Sequence, residues 1–383
     1  MLDCQKHLFD LGDDVVYLNG AYMSPQLKSV EAAGLQGLRM KNRPHQVSIQ
    51  DFFQPVEDLK AAFAELIHIA ENQRIAIIPS ASYGIANAAR NLPIGKGQKI
   101  LLMQEQFPSN YYIWEKVALE QGARLEIIPA PTAANRGDAW TEKVLQSIDN
   151  ETAVVAMAHV HWADGSVFDL KRVGEKARQM RAALVIDGTQ SVGALTFDVQ
   201  EIQPDALICA GYKWLLGPYS IGLAYYGPAL DQGRPIEENW INRLDSHNFQ
   251  KLVKYQPDYK PFAARYAVGE QSNFINVPML LAAIRQILDW GVENIQTYCK
   301  HISEEAINEI VTMGAQIDAS PQRAAHLFGV RLGSAFHAER LQAALQEHKV
   351  YVSFRGDAIR VAPHVYNTKA DFDALVKCFR AAK

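Results

Sequence analysis

Apolar and polar positions follow two rhythms along this chain. From Asp51 to Asn72 the residues Phe52, Phe53, Val56, Leu59, Phe63, Leu66, Ile67 and Ile69 recur at helical spacing and predict an amphipathic helix. Short apolar, largely β-branched runs follow at 75–78, 100–103, 125–128, 153–156, 183–186 and 206–209. Between them, 110–121, 140–148 and 170–181 carry the longer helical period. Strands that are apolar on both faces and separated by helices predict a mostly parallel sheet covered on both sides. A seventh run at 220–226 follows too closely for a crossover, so an antiparallel partner is expected there. From Gly233 to Gln271 the texture turns to Pro, Asn, Asp and aromatic residues with weak periodicity, which predicts an irregular connection. One long helix is expected over 278–300, with Leu281, Ile284, Ile287 and Leu288 on one face. Predicted strands at 328–332, 350–354 and 358–361 then alternate with helices at 338–348 and 369–380. The expected fold class is α/β: a large domain with a seven-stranded mostly parallel sheet sandwiched by helices, plus a small C-terminal α+β domain. The expected division gives residues 20–255 to the large domain, 1–19 and 275–383 to the small one, and 256–274 to a connecting segment.

Composition narrows the function classes. Of 383 residues, 48% are hydrophobic and 21% charged, with 38 basic against 42 acidic side chains. That near balance offers no basic footprint for nucleic acid and no signature of disorder. The first residues carry acids rather than an apolar core, so no secretory leader is expected, and no apolar stretch reaches the length of a membrane span. Cys4, Cys209, Cys299 and Cys378 are too scattered for a disulfide framework or a metal motif. A soluble protein of a reducing compartment, the cytoplasm, is expected.

In open α/β sheets ligands collect beyond the carboxyl ends of the parallel strands. After the run at 75–78 comes Pro79-Ser80-Ala81-Ser82-Tyr83-Gly84, leading into a helix. Small and hydroxyl residues there leave backbone N–H groups to hold a phosphate, although a plain helix cap made by Ser82 explains them as well. After 183–186 comes Asp187 in Asp187-Gly188-Thr189-Gln190. A phosphoaspartate motif would need a second Asp at 185, where Val stands. After 206–209 comes Gly211-Tyr212-Lys213-Trp214-Leu215-Leu216-Gly217-Pro218. A lysine in so apolar a stretch either snorkels or is a desolvated amine suited to forming a Schiff base. A phosphate cradle, a strand-end Asp and a strand-end Lys together are the parts a pyridoxal 5'-phosphate site requires, with Asp187 keeping the ring nitrogen protonated.

These segments resemble fold-type I pyridoxal phosphate enzymes of the class-V aminotransferase group, which includes cysteine desulfurases and kynureninases. The similarity runs from about Tyr17 to Thr368. It implies Lys213 as the catalytic residue, with Tyr212 in the Schiff-base segment where kynureninases also carry Tyr. It implies Gln190 near the cofactor's phenolic oxygen and Asp187 at its ring nitrogen. The segment Gln106-Phe107-Pro108-Ser109-Asn110 resembles one in which the Phe stacks on the pyridine ring, so Phe107 and Ser109 join the implied cofactor contacts, and Ala81 and Ser82 occupy the phosphate-binding turn. Glu237-Glu238-Asn239-Trp240 resembles the stretch whose Trp reaches the cofactor phosphate, and Gly269-Glu270-Gln271-Ser272-Asn273 the stretch that closes the site from a partner subunit. That implies roles for Trp240 and Ser272 and a homodimer with shared active sites, the segment 256–274 lying at its interface. Ile359-Arg360-Val361-Ala362-Pro363 resembles the segment whose Arg clamps the substrate carboxylate, a task for which a planar guanidinium is suited.

Departures from the family pattern carry information. The stretch 350–357 lacks the cysteine that desulfurases use as nucleophile. His159 and His161, two apart on an expected strand, would share one face and could bind zinc, but no third ligand at matching spacing is evident and no metal is expected. Gly95-Lys96-Gly97 lacks the further residues of a nucleotide-binding loop. The leading expectation is an enzyme acting on a small amino acid, an aminotransferase with a keto acid as its second substrate. A kynureninase-like hydrolase or a cysteine lyase-like β-elimination enzyme is the alternative, and a catalytically silent cofactor-binding protein the reading from another class. Neither nucleic acid nor a membrane is expected as partner.

Overall fold

The computed structural model describes residues 2–132, 135–356 and 358–383. The chain opens with β1 (Val16–Tyr17), α1 (Lys28–Met40) and α2 (Ile49–Leu66). The carboxylate of Asp51 accepts the backbone N–H of Ser48 at 2.7 Å, which starts α2 as a capping box does. The expected helix at 51–72 therefore begins slightly earlier and stops at Leu66. Helix α1 is not among the expected elements; of its three buried positions, Val30, Gly34 and Gly37, two are glycines, which give no apolar signal.

Then the alternation unfolds as β2 (Ile75–Ile78), α3 (Ala81–Asn91), β3 (Lys99–Met103), α4 (Tyr112–Gln121), β4 (Arg124–Ile128), α5 (Arg136–Ser147), β5 (Thr152–Ala158), α6 (Leu170–Met180), β6 (Ala183–Asp187), α7 (Val199–Ile202), β7 (Ala206–Ala210) and β8 (Gly222–Tyr226). The seven strands form one sheet in the order β2-β8-β7-β6-β5-β3-β4. β8 is antiparallel to both its neighbours, as its short connection requires, and the remaining strands run parallel. The two-residue period sorts side chains to opposite faces. Ile77, Leu101, Met157, Ile186 and Leu207 join one apolar cluster, whereas Ile78, Ile100, Val154, Val185 and Ile208 join another. Both faces are buried, which is why the runs read as continuously apolar.

The expected single helix at 278–300 is two helices, α8 (Asn276–Trp290) and α9 (Val292–Thr312). Gly291 separates them at φ 76° and ψ 125°, a backbone that turns the chain and that a side chain would strain. The apolar period continues across the break, so the pattern alone conceals it. α8 packs on α1 and α2, and its apolar side chains belong to the cluster that covers one face of the large sheet. The rest comprises β9 (Phe328–Arg331), α10 (Ala338–Glu347), β10 (Val350–Tyr351), β11 (Ser353–Arg355), β12 (Ala358–Val361) and α11 (Lys369–Ala381). The strand expected at 350–354 divides: β10 pairs with β1 in parallel, and β11 joins the antiparallel sheet β11-β12-β9. The expected α/β fold with a small C-terminal α+β part is present.

Candidate active site

The parallel strands direct their carboxyl ends to one edge of the sheet. There the ends of β2, β3, β5, β6 and β7 enclose a cavity of about 300 Å³ whose walls include Ser82, Phe107, Asp187, Gln190, Tyr212 and Lys213. The loop bearing Lys213 is tightly tied. The Gly211 N–H donates to the Ile221 carbonyl and the Gly217 N–H to the Gly211 carbonyl, both at 2.9 Å. A Cβ on Gly211 would stand 2.6 Å from the Ile221 oxygen, so the close passage needs glycine. From the other side, the Ser24 hydroxyl donates to the Lys213 carbonyl.

The Lys213 side chain is 7% exposed, and its amine lies 5.4 Å from the Phe107 ring centroid and 5.5 Å from that of Tyr212. Burial lowers the amine to about 8; Asp187 opposes the shift, and the charges of Arg360 and Arg355 add to it. The carboxyl of Asp187 is pushed up by burial and restrained by hydrogen bonding to Thr189 and by the Lys213 charge. Its Oδ1 accepts the Thr189 N–H at 3.0 Å, and the Thr189 hydroxyl accepts the Ala210 N–H at 3.2 Å, which couples the ends of β6 and β7. Gln190 spans Ala21 and Trp214: its Nε2 donates to the Ala21 carbonyl at 3.2 Å and its Oε1 accepts from the Trp214 indole at 2.8 Å. One amide hydrogen of Gln190 is left over for a ligand.

Helix α3 begins beneath this cavity. The cap considered for Ser82 is made by Ser80, whose extended backbone precedes the first turn and whose Oγ accepts the Tyr83 N–H at 3.2 Å. Ser82 stands in that turn with its hydroxyl 3.0 Å from that of Ser80. The Ala81 and Ser82 amides lie ahead of the helical hydrogen-bond ladder. Ser109 lines the same cavity. Phe107 is held edge-on by Trp162 at 5.5 Å between centroids, and the Trp162 indole donates to the Glu105 carbonyl at 2.7 Å.

Arg360 belongs to β12, where it pairs with Gly329 on one side and Ser353 on the other. It is 2% exposed, and Nη1 donates to the Trp162 carbonyl at 2.9 Å, while Nε and Nη2 have no partner among the described residues. Burial and then Arg355 bring its guanidinium down to about 10. An adjoining cavity holds it together with Lys213, Phe107 and Tyr212. Trp240 and Ser272 are not brought to Lys213. They border a separate hollow with Gly37, Phe52 and Phe274, where Trp240 is 38% exposed and the buried Ser272 hydroxyl has no partner among the described residues.

The two histidines considered for zinc lie beyond the end of β5 and have other surroundings. His161 bonds to Asp164 at 3.0 Å and to the Glu105 carbonyl at 3.3 Å. His159 is held neutral, at about 4, by burial and then by His326, and it packs edge-on against Phe197. No group of metal-ligating side chains occurs among the described residues. Sequence reasoning missed Arg355, Thr189 and Ser24. Only Arg355 left a signal, standing five residues before Arg360 across a glycine turn.

This donor set fits pyridoxal 5'-phosphate. A desolvated amine suits an aldehyde, a buried carboxylate a ring N–H, an aromatic face a pyridine, and a helix start flanked by two hydroxyls a phosphate.

Comparison with known proteins agrees. The family model for aminotransferase class-V matches residues 23–376. An uncharacterised aminotransferase of Bacillus subtilis, YcbU, is 28% identical over 84% of this chain and 82% of its own. A probable cysteine desulfurase of Halalkalibacterium halodurans is 26% identical over 79% of this chain and 74% of its own. The solved structure of a C-DES mutant, with glycine covalently linked to its PLP cofactor, superposes with a TM-score of 0.86 at 20% identity, covering 99% of this chain and all of that one. At that identity the likeness speaks for the fold. The chain belongs to the class-V aminotransferase family, the pyridoxal phosphate-dependent group that its lysine, aspartate and arginine segments resemble.

Proposed function

We propose that the protein is an aminotransferase that acts on a small amino acid. The observation that carries this is the buried Lys213 amine, brought to about 8, in a cavity that Phe107 and the strand-end Asp187 also line. Pyridoxal phosphate, when bound, supplies an aldehyde for amines and a protonated ring that draws electrons from the bonds of the attached α-carbon. Lys213 would hold that aldehyde covalently. Once a substrate amine displaces it, its near-neutral amine takes the proton from the substrate's Cα, since a general base works best with a pKa near the working pH. Asp187 would accept the ring N–H. Phe107 would support the ring face, with Tyr212 beside the Lys213 amine, and Gln190 would offer its remaining N–H to the phenolic oxygen. Ala81, Ser82 and Ser109 would hold the phosphate. Arg360 clamps the substrate carboxylate through its unpartnered Nε and Nη2. The proton held on Lys213 would then be available for return at the cofactor's exocyclic carbon, and hydrolysis by one water would release the keto acid and leave the amino group on the cofactor.

A β-elimination lyase is the second reading, favoured by the desulfurases among the relatives. Of the four thiols, Cys209, Cys299 and Cys378 are buried, with their thiols pushed up by burial, and Cys4 lies outside both cavities. A lyase that needs no protein thiol therefore suits the site better than a desulfurase with a persulfide-forming cysteine. The kynureninase-like alternative draws no support from these relatives.

Trp240 and Ser272 would act in the site of a second copy, which makes the working unit a homodimer. The cytoplasm suits four unpaired thiols.

The test is a panel of amino acids offered to the protein purified with pyridoxal phosphate. Conversion of the cofactor to its amine form with release of a keto acid supports transamination. Release of ammonia or sulfide with the cofactor unchanged points to the lyase. A visible band that persists undiminished in Lys213→Ala overturns the assignment of the lysine.

A further inference from the structure

Arg360 is not the only cation of its cavity. In the β11–β12 hairpin Ser353 pairs with Arg360 and Arg355 with Ala358. Residues 353, 355, 358 and 360 therefore share one face of the sheet, and both guanidinium groups stand on it. That face opens on a cavity of about 360 Å³ whose walls include Arg355, Arg360, Lys213, Tyr212 and Trp162. None of the described residues that line it is acidic. Among the described residues, neither arginine forms a salt bridge. Arg355 is held in place from behind, with its guanidinium carbon 5.7 Å from the Trp162 ring centroid and Nη1 donating to the Phe354 carbonyl at 2.7 Å. The two cations also repel, since the charge of Arg355 disfavours that of Arg360. Among the described residues this pocket keeps two arginines and a lysine together with no carboxylate on its walls, an arrangement stabilised by a ligand that carries more than one negative charge.

One carboxylate satisfies one guanidinium in bidentate fashion. We propose that Arg355 is a specificity residue for a second anionic group on the substrate side chain, so that the enzyme selects amino acids with an acidic side chain, carboxylate or sulfinate. Arg360 takes the α-carboxylate and Arg355 the distal anion, while the amine points at Lys213. The inference rests on the substrate-binding role given to Arg360 above. It names which amino acids that site prefers.

The test separates binding from turnover. Calorimetric titration of the cofactor-loaded protein with succinate, glutarate and butyrate compares dianions with a monoanion of similar length. At least one dianion is expected to bind ten times or more tighter than butyrate, with the difference lost in Arg355→Gln. Equal affinities for all three, or a preference that survives in Arg355→Gln, overturns the proposal whatever reaction the enzyme performs. In parallel, kcat/KM for aspartate, glutamate and cysteine sulfinate is set against alanine, asparagine and glutamine. The acidic set is expected to lead by at least tenfold in the wild type, with the ratio falling toward one in Arg355→Gln and partly restored in Arg355→Lys. Loss of all amino-acid turnover alongside intact dianion selectivity would instead indict the proposed reaction and leave the anion pocket standing.

Discussion

At the scale of single residues, Lys213 and Asp187 show how burial creates reactivity. Desolvation alone pushes the amine and the carboxyl toward their neutral forms, and their mutual attraction holds part of the charge in place. A free lysine reacts with aldehydes through its neutral amine, and at pH 7 an ordinary lysine is almost wholly protonated. The rate at which the apo protein captures pyridoxal phosphate is therefore expected to rise with pH and level off above about 8, where Lys213 loses its proton. Stopped-flow absorbance measures this, and a rise that continues to pH 10 would show an unperturbed lysine. Asp187→Asn retains size but offers no anion to the ring N–H. Activity is expected to fall at least a hundredfold with the fold intact, as read by steady-state kinetics beside circular dichroism. Lys213 and Asp187 stood out in the sequence as residue types at strand ends, Phe107 and Arg360 only through the family resemblance, and the structure gathers all four around two adjoining cavities. The sequence could not locate Thr189 or Ser24, whose roles are backbone hydrogen bonds that many residues make.

Among the elements, the joint between α8 and α9 is the clearest departure from the sequence pattern. Periodicity reports which face is buried, and both helices bury a face, so the apolar rhythm continues while the backbone turns. Only the positive φ of Gly291 records the break. Gly291→Ala is expected to lose about 1–3 kcal/mol, because a side chain there occupies a strained region. Chemical denaturation would show a lowered midpoint with an unchanged slope. The short strands show a related effect. The run at 350–354 reads as one strand, yet Val350 and Tyr351 pair with Val16–Tyr17 while Ser353–Arg355 pairs with 358–360. Two-residue alternation cannot say where a strand changes partners.

For the whole molecule, the buried carboxylate of Asp164 ties together the parts that frame the cleft. Its Oδ1 receives His161 at 3.0 Å and the hydroxyl and N–H of Ser166, and its Oδ2 pairs with Arg136 at 2.8 Å and Arg331 at 2.9 Å. Arg331 lies on β9, which pairs with the strand of Arg360, and His161 reaches the Glu105 carbonyl ahead of Phe107. Burial alone would raise the Asp164 carboxyl, but His161 and Arg136, with the Ser166 N–H, outweigh it and hold it well below the ordinary range. A carboxyl with a depressed folded-state pKa contributes stability above its unfolded value near 4. That contribution fades as pH falls further toward the folded value. Asp164→Ala is expected to cost about 3–5 kcal/mol by leaving buried cations unpaired, and to flatten the loss of stability below pH 4. Denaturant titrations across pH would check both effects.

By itself, the sequence determined the sheet and its one antiparallel strand, and its segments carried the resemblance to the family. The sheet follows from a local rule, that strands buried on both faces must be apolar throughout, and the rule that ligands collect at strand tips pointed to the residues that line the cavity. The tertiary structure decided what depends on distant segments meeting. It placed Arg355 on the same face as Arg360, gave the cap of α3 to Ser80, turned His161 from a zinc candidate into a ligand of Asp164, and kept Trp240 and Ser272 away from Lys213. Side-chain proximity across hundreds of residues is a property of packing, and no local periodicity encodes it.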